Sequence, residues 1–310
     1  MYTAEHEVRA VLTYEALIPA IRQALIDYSA GLVEQPARMI LRAGNAEGFR
    51  NGWFAVMPVI AGDVMGVKTV TFFPGNAELG LHTHMAVIEL LRRSTGEPLA
   101  VMDGRLITEM RTAAVSATAV DALAAKDAAS LGILGSGVQA RSHIDALRLV
   151  RPGLRDLRIW SRTAANAERL AAETGARAVT IEEAAAAQVV LTVTASPDPV
   201  LAGRWLAADA LVLAVGATGA SLRELDDEAM QSSYVVAESR SCAERESGDV
   251  RLSGVKVQAE IGEILGGSVA APSGGRIVFK SVGMAIEDLT AARLVWQARV
   301  ERSPDAELPG

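Results

Sequence analysis

An apolar run, Ala129–Leu134, passes directly into Gly135-Ser136-Gly137-Val138-Gln139-Ala140, and a helical stretch follows to about Val150. This G-x-G-x-x-A between strand and helix constrains the fold more than any other segment. Gly135 permits the tight turn, Gly137 keeps a side chain out of the path of a pyrophosphate, and Ala140 lets the helix pack on the strand. Ser136, Val138 and Gln139 complete the loop, and the helix N-terminus offers free N–H groups and a positive dipole end to phosphates. Glycine pairs also serve ordinary turns, so the surroundings decide the reading. Further strand candidates lie at Leu154–Trp160, Ala176–Val179, Val189–Thr194, Ala210–Val215 and Tyr234–Glu238, with a helix at Ala164–Thr174. Near-continuous apolar strands alternating with helices indicate a buried parallel sheet. The expectation is an α/β chain whose Rossmann domain, residues 118–284, binds a dinucleotide.

The second strand ends in Trp160-Ser161-Arg162-Thr163. An NAD-specific site places an acid here for the ribose 2′-hydroxyl. None is present, and Asp156 comes too early in the strand. Arg162 is placed to meet a 2′-phosphate, with the Ser161 and Thr163 hydroxyls beside it. NADP(H) is therefore the expected cofactor, with NAD(H) possible.

Residues 1–117 read differently. A helix is expected over Thr13–Ser29, with Leu17, Ile18, Ile21, Leu25 and Ile26 on its buried face. Strands follow at Met39–Arg42, Gly52–Val59 and Gly66–Phe73, and a turn at Pro74-Gly75-Asn76. A hairpin should join Ala86–Leu91 to Pro98–Met102, and a helix should run from about Thr108, as N-cap, to Lys126. Helical spacing returns from Thr290, before a tail, SPDAELPG, expected to be disordered.

Composition narrows the function classes. A net charge of −7 and a pI near 5.3 argue against a nucleic-acid partner. The longest uncharged stretch, Ala184–Pro197, is too short to span a membrane, and the acidic start MYTAEHEVRA is unlike a secretory signal. Cys242 is the only cysteine, which excludes an intramolecular disulfide. A cytoplasmic enzyme is the expectation. His82 and His84 lack companions for a metal site, so no metal is expected. Cys242 reads as a spectator thiol, and the charged run Glu238–Asp249 as a solvated helix.

Several segments in order resemble the ornithine cyclodeaminase/mu-crystallin family: Gly66-Val67-Lys68, Phe73-Pro74-Gly75-Asn76, Gly96-Glu97-Pro98-Leu99-Ala100 and Arg111-Thr112-Ala113-Ala114. After the glycine motif come Arg223-Glu224-Leu225-Asp226, Glu246-Ser247-Gly248-Asp249, Glu260-Ile261-Gly262-Glu263 and Phe279-Lys280-Ser281-Val282-Gly283 with Glu287-Asp288. The resemblance implies a homodimer in which residues 1–117 with 285–310 form an α+β substrate-binding and dimerisation domain. The active site would lie in the cleft between that domain and the Rossmann domain, and the substrate would be an α-amino or α-imino acid.

Arginine forks bind carboxylates in a bidentate manner and lysine adds a point charge. By resemblance Arg38, Lys68 and Arg111 hold the substrate carboxylate; if Arg38 and Arg111 surround Lys68, their like charges lower its pKa and let it assist proton transfer. The resemblance also places Thr83, Thr112, Thr194, Ala195, Val215, Gly216, Ala217, Lys280, Ser281 and Val282 near the cofactor, while Met85 stands where many members carry Gln.

Two departures set this chain apart from the family's cyclodeaminases. Thr218 occupies the place of a catalytic aspartate, and a threonine hydroxyl can orient a water or an imine nitrogen but cannot act as a base near neutral pH. Ala55 and Val56 precede Met57-Pro58 where a cyclodeaminase carries Glu. Both favour NADPH-dependent reduction of α-imino acids such as pyrroline-2-carboxylate or piperideine-2-carboxylate. The rivals are an ornithine cyclodeaminase and a non-catalytic NADPH-binding protein of the mu-crystallin kind.

Overall fold

The computed structural model describes residues 2–44 and 51–302. The tail from Ser303, expected to be disordered, lies outside the described residues. The chain divides into two compact units, Met1–Arg111 with Met284–Gly310, and Thr112–Gly283.

The first unit carries strands β1 (Tyr2–Thr3), β2 (Val33–Glu34), β3 (Met39–Ala43), β4 (Gly52–Ala61), β5 (Val64–Phe72), β6 (His84–Arg92) and β7 (Pro98–Asp103). Its helices are α1 (Glu5–Arg9), α2 (Tyr14–Ser29), the start of α3 (Arg105–Leu123) and the C-terminal helix Ala285–Arg302. The sheet runs β1-β7-β6-β5-β4-β2, with β3 also paired to β4. Alternation sets its faces: Ala55, Met57 and Val59 of β4 and Val64, Lys68 and Val70 of β5 point inward. The C-terminal helix packs on α2 and across β4, β5 and β6. Thr13 caps α2 by accepting the Ala16 N–H; Leu17, Ile21 and Leu25 are wholly buried, while Ile18 and Ile26 at the edges of that face are half-buried.

Two local expectations change. Pro74–Leu79 forms a 3-10 helix in place of a simple turn. Helix α3 begins at Arg105, a turn before Thr108. Asp103 accepts the Arg105 backbone N–H at 2.9 Å, while Thr108, inside the helix, donates its hydroxyl to Gly104 O.

The second unit contains β8 (Ser130–Leu134), α4 (Val138–Val150), β9 (Asp156–Trp160), α5 (Ala164–Thr174), β10 (Arg177–Ala178), α6 (Ile181–Ala185), β11 (Val189–Thr192) and β12 (Leu211–Ala214). It continues through α7 (Asp227–Gln231), β13 (Ser233–Ala237), α8 (Arg240–Glu246), α9 (Gly248–Ser253), β14 (Ala259–Glu260), α10 (Ile261–Leu265) and β15 (Arg276–Lys280). Its eight strands are parallel, in the order β10-β9-β8-β11-β12-β15-β13-β14. The order reverses direction between β8 and β11, the point at which doubly wound sheets bind ligands beyond their strand ends. Every residue of β8, β11 and β12 is buried. Val190, Val212, Val235 and Val278 share one core with Leu201, Leu206, Leu225 and Met230. Each such side chain contributes roughly 1.5–3 kcal/mol by leaving water. Strand β15, between β12 and β13, carries an element that the apolar pattern alone did not reveal.

Candidate active site

The glycine motif opens α4 beside the reversal point. Gly135 donates its N–H to Trp160 O at 2.9 Å, and Val193 donates to Leu134 O at 2.9 Å, so the turn is bound to the ends of both neighbouring strands. Gly135 has φ +131°, and a Cβ there would lie 2.7 Å from Val193 O. Glycine is required at this position by the protein itself. Gly137 differs: its φ is −83°, and a Cβ there would meet nothing within 4 Å. The fold leaves open space at the residue where a pyrophosphate needs it.

Gly137 is the N-cap of α4 and supplies no side-chain cap. The Gln139 Oε1 beside it is buried without a hydrogen-bond partner among the described residues. An open cradle and uncapped amides fit a dinucleotide phosphate. His143 braces the helix from within: its Nδ1 lies 2.7 Å from Gln139 O and its Nε2 2.9 Å from Ser116 Oγ. Nδ1 therefore carries the proton and Nε2 accepts. Burial depresses its pKa to about 4.

At the end of β9, Ser136 donates to Ser161 Oγ at 2.9 Å. Arg162 and Thr163 are exposed. Thr163 is the N-cap of α5 but makes no side-chain cap bond. Asp156 is paired with Arg158 and Arg177.

Beneath the ends of β11, β12 and β15 lies a network that residue patterns did not reveal. Glu224, wholly buried, accepts from Thr192 Oγ1, Thr194 Oγ1 and the backbone N–H groups of Thr194, Gly216 and Ala217, at 2.6–3.0 Å. Asp249 accepts from the Glu224 and Leu225 N–H groups and pairs with Lys280 at 3.0 Å. Lys280 also donates to Ala217 O. Glu238 accepts from Ser281 Oγ and from the N–H groups of Val282 and Gly283.

Lys280 and Ser281 are buried and their side chains serve internal partners. One expectation is corrected: Glu238–Asp249 is no solvated helix, because Glu238, Ser247 and Asp249 are buried. Ala195 and Thr218 are exposed in the loops after β11 and β12, and Thr112, Val215 and Val282 are buried.

The cations meet in the first unit. Lys68 projects from the inner face of β5 and is 3% exposed, and Arg111 of α3 is 5% exposed. Asp288, in the first turn of the C-terminal helix, joins them: its Oδ2 lies 2.6 Å from Lys68 Nζ and its Oδ1 accepts from Arg111 Nε at 3.0 Å. Glu287 accepts from Arg111 Nη1 and from the Met284 N–H. Burial lowers the Lys68 pKa to about 8; Asp288 opposes the shift, while Arg111 and Arg38 reinforce it. Arg38 therefore lies near enough for its charge to register at Lys68. Thr83, half-buried, sits with its hydroxyl 3.4 Å from His84 Nδ1.

Lys68 and Arg111 are thus paired with two carboxylates, and Arg38 is a third cation whose charge reaches Lys68. Cationic side chains gathered in this way suit a carboxylate ligand. The sequence identified the cations, whereas the carboxylates appeared only as a matching segment without a role.

Residues 1–303 match the family model described as the ornithine cyclodeaminase/mu-crystallin family. The ketimine reductase mu-crystallin of Mus musculus is 40% identical over 291 residues, covering 91% of each chain. The Δ1-pyrroline-2-carboxylate reductase of Thermococcus litoralis, solved with NADH and L-proline, superposes with a TM-score of 0.91 at 30% identity. It covers 97% of this chain and 98% of its own. An archaeal alanine dehydrogenase dimer with bound NAD gives 0.91 at 28% identity, covering 97% and 96%.

Proposed function

Because the chain belongs to the ornithine cyclodeaminase/mu-crystallin family, we propose that it reduces α-imino acids with NADP(H), taking cyclic ketimines such as pyrroline-2-carboxylate or piperideine-2-carboxylate. The observation that carries this reading is the buried cluster of Lys68, Arg111, Glu287 and Asp288 with Arg38 nearby. It gathers cationic side chains at one place, as a substrate carboxylate requires. The named activities of the mouse and Thermococcus relatives agree with such a ligand.

In this reading residues 112–283 hold the dinucleotide, with Gly135, Ser136, Gly137, Val138 and Gln139 at the pyrophosphate and Ser161, Arg162 and Thr163 at the adenosine 2′-phosphate. A bound reduced nicotinamide supplies a hydride. Arg38, Lys68 and Arg111 hold the substrate carboxylate and so fix the pose of its C=N carbon. Orientation of this kind is worth roughly 7–11 kcal/mol of barrier. The imine nitrogen takes up one proton in reaching the amine. Lys68 is a donor within the cluster, and the exposed Thr218 hydroxyl orients a water or the nitrogen.

The first unit, residues 1–111 with 284–310, also forms the homodimer. Met85 and Val87 of β6 and Met39, Ile40 and Leu41 of β3 are large apolar side chains left exposed on the sheet. A second copy covers them, in keeping with the dimeric archaeal relative.

NADPH oxidation against a panel of cyclic imines, repeated with NADH, tests the assignment. Turnover of a cyclic ketimine with NADPH is expected. Ammonia release from ornithine without added cofactor would instead make it a cyclodeaminase. Tight NADPH binding with no turnover would make it a binding protein. Light scattering should give twice the chain mass, and a monomer at micromolar concentration would remove the dimer.

A further inference from the structure

We propose that Asp288 is the positioning residue of the carboxylate site, a single side chain that fixes the spacing of Lys68 and Arg111 and keeps Lys68 protonated for its ligand. Its role in catalysis rests on the imino-acid reading, whereas its hold on Lys68 does not.

The geometry is that of one carboxylate bridging two cations. One Asp288 oxygen lies against Lys68 Nζ and the other against Arg111 Nε. Those cations come from different elements, β5 and α3, and Asp288 comes from a third. Asp288 is 1% exposed, so water does not screen the contacts. Its place in the first turn of an 18-residue helix favours the ionised carboxylate.

Every other group facing Lys68 has a different effect. Arg111 and Arg38 disfavour its ammonium form. His84 of β6 is itself depressed by desolvation and then by Lys68, so it stays neutral at working pH. Glu287 accepts from Arg111 and the Met284 N–H. Asp288 is therefore the named counter-ion that holds the proton on Lys68 against burial and two arginines. Without it Lys68 becomes a neutral amine near physiological pH, and the site loses one of its three charges for a carboxylate.

The chain has four lysines, Lys68, Lys126, Lys256 and Lys280. Carbon-13 lysine NMR can therefore follow the Lys68 Cε directly, with Lys68→Arg giving the assignment. The wild-type midpoint is expected at about 8. Asp288→Asn should lower it by about 1–3 pH units, the usual influence of an adjacent opposite charge. Asp288→Glu should restore it, and Glu287→Gln, which removes a charge paired to Arg111 and not bridging to Lys68, should lower it by less than Asp288→Asn does. A midpoint in Asp288→Asn equal to the wild type overturns the proposal.

Kinetics supply the second readout. The basic limb of kcat/KM for the cyclic imine should move to lower pH in Asp288→Asn, with KM rising more than kcat falls. A uniform loss of activity with an unmoved limb would mean a purely structural role and overturns the proposal. If Asp288→Asn fails to fold, the Asp288→Glu titration decides: a midpoint well below the wild type despite retained charge also overturns it. Absence of any imine turnover in the wild type would sink the reductase reading while leaving the NMR result to judge Asp288.

Discussion

Gly137→Ala separates a glycine kept for a ligand from a glycine kept for the fold. Its φ of −83° is open to any residue, and a Cβ would meet no atom within 4 Å. Replacing glycine by alanine at a compatible position gains about 0.4–1 kcal/mol from the unfolded chain. Alanine is the poorer N-cap, at a cost of about 0.5–1 kcal/mol. These nearly cancel, so the melting temperature of the ligand-free protein should stay within about 2–4 °C of the wild type.

The dinucleotide should respond differently. A methyl group in the phosphate's path separates it from the α4 amides. Losing one charge-assisted hydrogen bond costs about 1.5–3 kcal/mol, or roughly 10- to 150-fold in affinity. Fluorescence titration with NADPH reads this directly. Gly135→Ala is the control, because its φ of +131° and the 2.7 Å approach to Val193 O impose a strain of at least about 1–3 kcal/mol. Wild-type NADPH affinity in Gly137→Ala, or a loss of stability as large as that of Gly135→Ala, would refute the assignment of this turn to a phosphate.

Three further outcomes are expected. Arg162→Ala should weaken NADPH about 10- to 100-fold and leave NADH nearly unchanged in the same titration; equal losses for both would remove the 2′-phosphate contact. His143 has a folded pKa of about 4, below the unfolded value of 6.5, so the unfolded chain binds its proton first as pH falls. The stability it contributes is intact above pH 6.5 and drains between 6.5 and 4, by about 2 kcal/mol from pH 7 to pH 5; a His143 imidazole resonance that titrates near 6.5 in the folded protein would contradict this. Thr218→Val should lower kcat for imine reduction with little change in NADPH affinity, and full activity in that variant would end the role of its hydroxyl.

Legibility varied with the range over which the controlling contact acts. The apolar runs at Ser130–Leu134, Val189–Thr192 and Leu211–Ala214 carried their own evidence, because a strand covered on both faces must be apolar throughout. Arg276–Lys280 has a charge at each end and only three apolar residues between. Its place in the middle of the sheet comes from pairing with β12 and β13, which sequence spacing does not express. Thr108 looked like a cap because its residue type suits one, but the Asp103 carboxylate had already satisfied an amide of the preceding turn.

The site shows the same division. Gly135 and Gly137 were readable because one local turn contains the whole device. Lys68 and Arg111 stood out through the family resemblance, their residue types being suited to a carboxylate. Asp288 was not, since its bond to Arg111 joins residues 177 positions apart. Charge alternation over Glu238–Asp249 suggested water contact, whereas the Glu238 and Asp249 carboxylates turn inward to amides and to Lys280.

The first unit is interrupted in sequence, running from Met1 to Arg111 and resuming only at Met284. A ribosome adding about 5–20 residues per second therefore leaves this unit unfinished for roughly ten to thirty seconds while Thr112–Gly283 is made. During that interval β4, β5 and β6 lack the helix that packs across them, and Lys68 and Arg111 lack both carboxylates. The nascent chain thus carries a bare apolar sheet and an uncompensated pair of cations, a species suited to capture by a chaperone. Substitutions on the buried face of the final helix should consequently depress the yield of protein in cells more than they depress the melting temperature of the molecules that complete folding.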